Sequence, residues 1–286
     1  MTVSAADLRA RAEGAAAALP ALVLSAERLA AMIAPGAHGL RRAGPGEDFW
    51  QYRPAVAGDA ARSIDWRRSA RSDAQFVRDR EAQTAQAVSL WIAGGAGMDW
   101  SGAPDRPLKR DRARVLALAL ALVLLRGGEK VGLAGGRPPR AGRAQSARLA
   151  EEMLATASHD APPDAALRPG QRVVLIGDFL SPVQPTLDHI ARAAAMGLRG
   201  VALQVLDPDE ETFPYDGAVL FRAPGGAARH DTRDAAGLRA AYLTRLAERR
   251  AQIGAACAAA GWRFGTHDTA APPAQALMWL YRVLEG

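Results

Sequence analysis

From about residue 85 onward the chain alternates short apolar runs with longer stretches of helical period, and this rhythm narrows the possible folds more than any other feature. Residues 88–92 (VSLWI), 130–134 (KVGLA), 172–177 (RVVLIG) and 200–206 (GVALQVL) are apolar almost throughout. A strand with one wet face would alternate apolar with polar residues, so these runs predict strands covered on both faces. Between them lie helical patterns at 109–126, 145–157, 185–196, 234–260 and 273–284. Strands separated by helices in this way form βαβ units, and the expected fold is a three-layer α/β domain with a mostly parallel sheet. Residues 262–266 supply a last strand, and 218–222 (AVLFR) an edge strand.

Two further stretches precede that domain, which spans 85–286. Residues 1–36 are rich in Ala and Leu with helical spacing and end at Pro35-Gly36; residues 37–84 carry Arg, Asp, Gly and aromatics without a helical period. Of the 286 residues, 49% are hydrophobic and 23% charged, enough to bury a core and too apolar for wholesale disorder. The net charge is +6, and every basic residue is Arg except Lys109 and Lys130. Arg is interleaved with Asp and Glu and does not cluster, so no nucleic-acid footprint is expected. Cys257 stands alone, which excludes an internal disulfide and fits a reducing compartment; its small-residue helical surroundings suggest a buried, inert thiol. The longest apolar run, Val115 to Leu125, is eleven residues, short of the roughly twenty a membrane span needs. The mixed charges at Asp7, Arg9, Arg11 and Glu13 do not resemble a signal peptide, and a cytoplasmic location is expected.

In an open parallel sheet ligands bind beyond the carboxyl ends of the strands. The first strand runs into Ala93-Gly94-Gly95-Ala96-Gly97, the third into Asp178 and the fourth into Asp207. Two carboxylates at strand ends suit a hard cation such as Mg²⁺, but Asp in these positions also caps helices and shapes turns. The loop Gly94–Gly97 suggests phosphate, yet no Gly-Lys pair occurs for a Walker loop, and Pro104 and Pro107 delay the helix that a dinucleotide fingerprint requires. There is no Gly-x-Ser-x-Gly, His-Glu-x-x-His or Cys-x-x-Cys, and His38, His159, His189, His230 and His267 share no ligand spacing.

Residues 38–80 read HGLRRAGPGEDFWQYRPAVAGDAARSIDWRRSARSDAQFVRDR. With Asp178-Phe179 and Asp207-Pro208-Asp209-Glu210 downstream, they resemble a bacterial family of von Willebrand factor A-like proteins associated with MoxR-type AAA+ ATPases. The residues carrying the resemblance are Arg53, Gly58-Asp59, Arg62, Ile64-Asp65-Trp66, Ala70-Arg71 and Asp207. It implies a von Willebrand factor A-like domain, with the helical N-terminus and the Arg/Asp-rich segment packed on it. It also implies a MoxR-type AAA+ ATPase and a client protein as partners.

Members of that family that hold a metal have Asp-x-Ser-x-Ser after the first strand. Here those positions are Ala93, Gly95 and Gly97, which leaves Asp178 alone. A cation of near-octahedral oxygen coordination would be held weakly. The expectation is therefore a degenerate metal site, no cofactor, no catalysis, and a non-enzymatic adaptor or assembly factor. Its recognition surface would be the loops 93–103 and 178–185. The alternatives are a metal-dependent binding module using Asp178 and a nucleotide-binding enzyme using Gly94–Gly97. Asp59, Arg62, Asp65 and Arg71 are expected to pair with each other, with Trp66 as a packing anchor.

Overall fold

The computed structural model describes residue 20 and residues 22–33, 40–56, 59–60, 63–71, 74–155, 160–163, 167–222 and 229–285. The expected Gly58 and Arg62, with His38 and His159, lie outside the described residues. In chain order the elements begin with helix α1 (22–30) and a two-stranded ribbon, β1 (Leu40–Pro54) with β2 (Phe76–Thr84). The single turn α2 (Trp66–Ser69) lies in the loop that joins the ribbon strands. The α/β part follows: β3 (Ala87–Ile92), α3 (Lys109–Arg126), β4 (Lys130–Leu133), α4 (Ala144–Ala155), β5 (Gln171–Gly177), α5 (Gln184–Ala195), β6 (Gly200–Leu206), α6 (Pro208–Thr212), β7 (Val219–Arg222), β8 (Arg229–Thr232), α7 (Arg239–Ala259), β9 (Arg263–Asp268) and α8 (Pro273–Glu285).

Five strands pair in the order β4-β3-β5-β6-β9, every neighbour parallel. This is the expected α/β sheet, and the apolar runs are its strands because helices cover both faces. α3 runs across β3, β4, β5 and β6 with α4 and α8 against it; α5 and α7 pack together as the other layer. Residues 116–124 of α3 are buried without interruption, so this helix has no polar stripe. Each fully buried Leu there contributes about 1.5–3 kcal/mol relative to exposure. Gly127 caps α3 and Gly128 follows at φ 84°, a left-handed stop that a side chain would resist. α1 joins the same core through Leu22, Ala26, Leu29 and Ala30, and the turn after it through Ile33.

One expectation is corrected. Residues 218–222 do not edge the parallel sheet: β7 pairs antiparallel with β8 in a separate two-stranded sheet. Residues 37–84 contain the β1–β2 ribbon, which pairs antiparallel with itself and not with the central sheet. The sequence of β2 (FVRDREAQT) has no alternating apolar face to announce a strand, because backbone pairing within the ribbon carries it.

The topology fixes where a site belongs. From β3 the chain moves to β4 on one side and then to β5 on the other, so the strand order reverses between β3 and β5. A crevice opens at such a switch point, outside the carboxyl ends. The two strands close tightly there: a side chain added at Gly177 would meet Ala93 Cβ at 2.5 Å.

Candidate functional site

Lys109 is the first residue of α3 and is 0% exposed, although its side chain is the one most expensive to bury without a partner. Its backbone N–H donates to the Trp100 carbonyl at 3.2 Å, which anchors the helix start to the loop after β3. The ammonium Nζ lies 2.9 Å from Asp178 Oδ2 and 2.6 Å from Glu210 Oε1, with the Trp100 ring 6.0 Å away. One cation thus joins the end of β5 to the helix that follows β6. Burial pushes the Glu210 carboxyl above its usual value, and the Lys109 ammonium pulls the other way.

The acidic groups around this ion pair are held by local geometry. Asp207 ends β6 and caps α6: its carboxylate accepts from Asp209 N–H at 3.0 Å, while Glu210 Oε2 accepts from Asp207 N–H at 3.0 Å. This is the reciprocal capping box written in the sequence as Asp-Pro-x-Glu. Asp207 is also 0% exposed and receives Arg106 Nη1 at 2.8 Å, Gly102 N–H at 3.1 Å and the Thr269 hydroxyl at 3.2 Å. Arg106 Nη2 reaches Asp209 at 2.9 Å. Asp178 accepts from Leu180 N–H at 3.2 Å, and Phe179 between them takes φ 52°, a conformation uncommon for a bulky residue. Arg249 holds that turn by donating to the carbonyls of Phe179 and Ser181.

The three positions that the resemblance assigns to metal ligands are arranged differently from one another. Ala93 is buried against β5, Gly95 precedes a 3₁₀ turn over Ala96–Met98, and Gly97 lines the crevice. A Cβ on Gly95 would fall 1.5 Å from Asp160 Oδ1. The carboxylate of a distant loop therefore occupies the space a side chain at 95 would need. Among the described residues no group of three or more His, Cys, Asp or Glu is placed to hold a metal ion. Nor can a divalent ion reach both Asp178 and Glu210 while the ammonium stands between them. Mg²⁺ needs oxygens at about 2.1 Å, inside the volume that Nζ fills.

Above the ammonium lies a cleft of about 750 Å³. Its floor holds Lys109, Asp178 and Glu210, and Asp160 stands at its edge. Its wall is aromatic: Phe213 packs on Tyr215, Phe221 and Tyr242 at centroid separations of 5.1, 5.5 and 4.8 Å. Leu180 and Leu220 project from the rim, 38% and 42% exposed. The β7–β8 hairpin thus serves the site as a wall, and Phe213, at φ 49°, turns the chain from α6 toward it.

Of the described signature residues only Asp207 lies here. Arg53 and Asp59 form a two-pronged ion pair at 2.7 and 2.7 Å that holds the Asp59 carboxyl down at about 2. Asp65 caps α2 through Arg68 N–H at 3.0 Å and accepts the Tyr52 hydroxyl at 3.0 Å. Arg71 is exposed and makes no ion pair among the described residues. Trp66 is not a packing anchor: it is 57% exposed on the one-turn helix.

Lys109, Arg106 and Asp160 were not among the residues the sequence singled out. One signal did point to Lys109, since it is one of only two lysines among thirty-six basic residues. A compact ammonium fits between two carboxylates where a planar guanidinium does not. Cys257 is buried in α7, and burial pushes its thiol up to about 12, which matches the inert reading. His189 and His267 are buried in different elements, α5 and β9, and His230 is exposed on β8. No helix among the described residues is long and apolar enough to cross a membrane.

Fold and site together define an α/β protein with a doubly wound parallel sheet, whose strand-end crevice is closed from within by a lysine ammonium. The chain belongs to the family described as "Protein of unknown function DUF58", which it matches over residues 51–252. It is 29% identical over 261 residues to uncharacterized proteins of Mycobacterium tuberculosis and Mycobacterium bovis, covering 83% of this chain and 80% of each relative. Among solved structures it is similar to an aerotolerance-related membrane protein from Bacteroides fragilis. That match has 16% identity and a TM-score of 0.41, and covers 70% of this chain and 98% of the other. A second match is the conserved hypothetical protein BatB from Bacteroides thetaiotaomicron, at 15% identity and a TM-score of 0.38, covering 70% and 98%.

Proposed function

We propose that this chain is a non-enzymatic protein-binding module of the von Willebrand factor A type, an adaptor or assembly factor that works with a MoxR-type AAA+ ATPase. Its strand-end site keeps the charge pattern of a metal site but takes the cation from its own sequence. The observation that carries this proposal is the Lys109 ammonium, buried between Asp178 and Glu210 beneath a cleft walled by aromatic rings. A site whose carboxylates are already bridged has no open position for a catalytic ion, whereas an apolar wall with a few fixed charges suits recognition. The ATPase as partner is supported by the sequence resemblance alone.

The test is co-purification of the tagged full chain with the MoxR-type ATPase of its own cells, with and without ATP. It is repeated with Leu180→Asp and Leu220→Asp, which place charges on the exposed cleft rim. Recovery of the ATPase by the unaltered chain and its loss with the rim variants is expected. A chain that comes down alone under both conditions, while turning over a nucleotide by itself, refutes the adaptor role.

One observation favours a second reading. Asp160 places its carboxylate at Gly95, where a ligand would lie in a metal-dependent binding module, so the oxygen donors could be drawn from elsewhere in the chain. Such a module would require Lys109 to leave its carboxylates. Titration with Mg²⁺ or Mn²⁺ separates the two: tight stoichiometric binding, abolished by Asp178→Ala, selects the metal-dependent module.

A further inference from the structure

A second surface lies on the loop between β1 and β2. Here Trp66, Arg67, Arg68 and Arg71 follow one another within six residues, and all four are exposed. The three arginines border a pocket of about 430 Å³ whose other described walls are Tyr52, Phe76 and Asp65. The Arg68 guanidinium lies 4.4 Å over the Tyr52 ring and 5.2 Å from that of Phe76, so it is held against two aromatic rings. Arg67 and Arg71 make no ion pair among the described residues. Among the described residues, the one acidic side chain lining the pocket, Asp65, is engaged through both oxygens, one on Arg68 N–H and one on the Tyr52 hydroxyl. An indole of which 57% is in water, beside three guanidiniums and a tyrosine, is the composition that carries binding energy at protein interfaces.

We propose that this turn docks an acidic segment of a partner protein, whose Asp or Glu carboxylates enter the guanidinium-lined pocket while a neighbouring apolar side chain lies on Trp66. Arg matches carboxylates through paired N–H bonds, and Trp gives such a contact an apolar anchor. A nucleic acid fits less well. Its phosphates need a basic stripe, whereas Asp59, Asp65, Asp73, Asp79 and Glu81 interrupt the arginines of this segment.

The experiment titrates the full chain into a fluorescent, short Glu-rich peptide with one central Leu and follows anisotropy. A Lys-rich peptide, duplex DNA and phosphatidylglycerol vesicles serve as comparisons. Saturable binding of the acidic peptide is expected, weakened roughly tenfold or more by Arg67→Glu with Arg71→Glu and by Trp66→Ala. Reversing two exposed arginines elsewhere, Arg229→Glu with Arg233→Glu, is expected to leave it within about twofold. Thermal melts of all variants should match the parent, since every altered side chain is exposed. Absence of saturable binding overturns the proposal, as does an equal loss in the Arg229/Arg233 variant, which would reduce the effect to net charge. Tighter, Arg67- and Arg71-dependent binding of the duplex or the vesicles overturns it in favour of that ligand. None of these outcomes depends on the strand-end cleft.

Discussion

Replacing Lys109 by Met tests the central feature of the site. The substitution keeps an unbranched side chain of similar length in the start of α3, so packing changes little, but it removes the ammonium from between Asp178 and Glu210. Lys109 is fully buried and the two carboxylate side chains are 9% and 15% exposed, so water cannot readily replace the lost partner. Breaking a buried ion pair by removing one member costs about 3–5 kcal/mol. For a domain of this size each kcal/mol shifts Tm by about 2–4 °C, so a fall of roughly 6–20 °C is expected by calorimetry near neutral pH. The deficit should depend on pH with a definite sign. Burial already raises the Glu210 carboxyl above its usual 4.5, and without Lys109 only the Asp207 N–H hydrogen bond opposes that push. The folded variant then holds a proton that the unfolded chain releases, and the penalty is complete above the folded value. It is relieved as pH falls toward 4.5, so the gap between variant and parent should narrow from pH 8 to pH 5. Adding Glu210→Gln to Lys109→Met should recover part of the loss by removing one unpaired carboxylate. A variant that melts within about 1 °C of the parent across this range would refute the buried bridge.

Other consequences follow from single side chains. His267 is held down at about 4, first by burial and then by the nearby Arg112 charge, so below its usual 6.5 the unfolded chain takes up a proton that the folded chain refuses. Stability should therefore fall by up to about 3 kcal/mol as pH drops from 6.5 to 4. His267→Gln should flatten that slope in melts recorded across the window. Cys257, the single thiol, should react with a thiol reagent at neutral pH only after denaturation; rapid labelling of the native protein would contradict its burial. Arg106→Ala should cost roughly 1–3 kcal/mol in chemical denaturation, since Asp207 keeps three other donors but loses its counter-charge. Asp65→Asn should cost no more than about 1 kcal/mol, because Asn still caps α2.

The central sheet could be read from the sequence because strands buried on both faces must be apolar throughout and α3 must be apolar all round. The bounds expected for that helix, 109–126, are the bounds observed. The ribbon and the β7–β8 hairpin could not be read in this way. Their strands pair with each other and not with the central sheet, and AVLFR resembles a core strand although it forms a cleft wall. Trp66 misled for a related reason: an aromatic beside charges reads as an anchor, and only the fold shows that no core lies beneath it. At the strand ends, the positions that the resemblance assigns to ligands, Ala93, Gly95 and Gly97, were visible in the sequence. The Lys109 bridge was not, because Lys109 and Glu210 are 101 residues apart and meet only in the fold.

That meeting explains why the rare lysine is in this place. Four carboxylates, Asp178, Asp207, Asp209 and Glu210, crowd the ends of β5 and β6, and each is fixed there by a backbone or cation contact of its own. Such crowding is tolerable only with positive charge among the carboxylates. A bound ion would supply that charge conditionally, at a concentration set by its surroundings. Arg106, from the segment that connects β3 to α3, and Lys109, the first residue of α3, supply it whenever the chain is folded. A cation carried by the chain cannot be titrated away by a chelator, so binding to the cleft should be insensitive to EDTA. Any control over that binding must then act on the aromatic wall or on the pose of Lys109 itself.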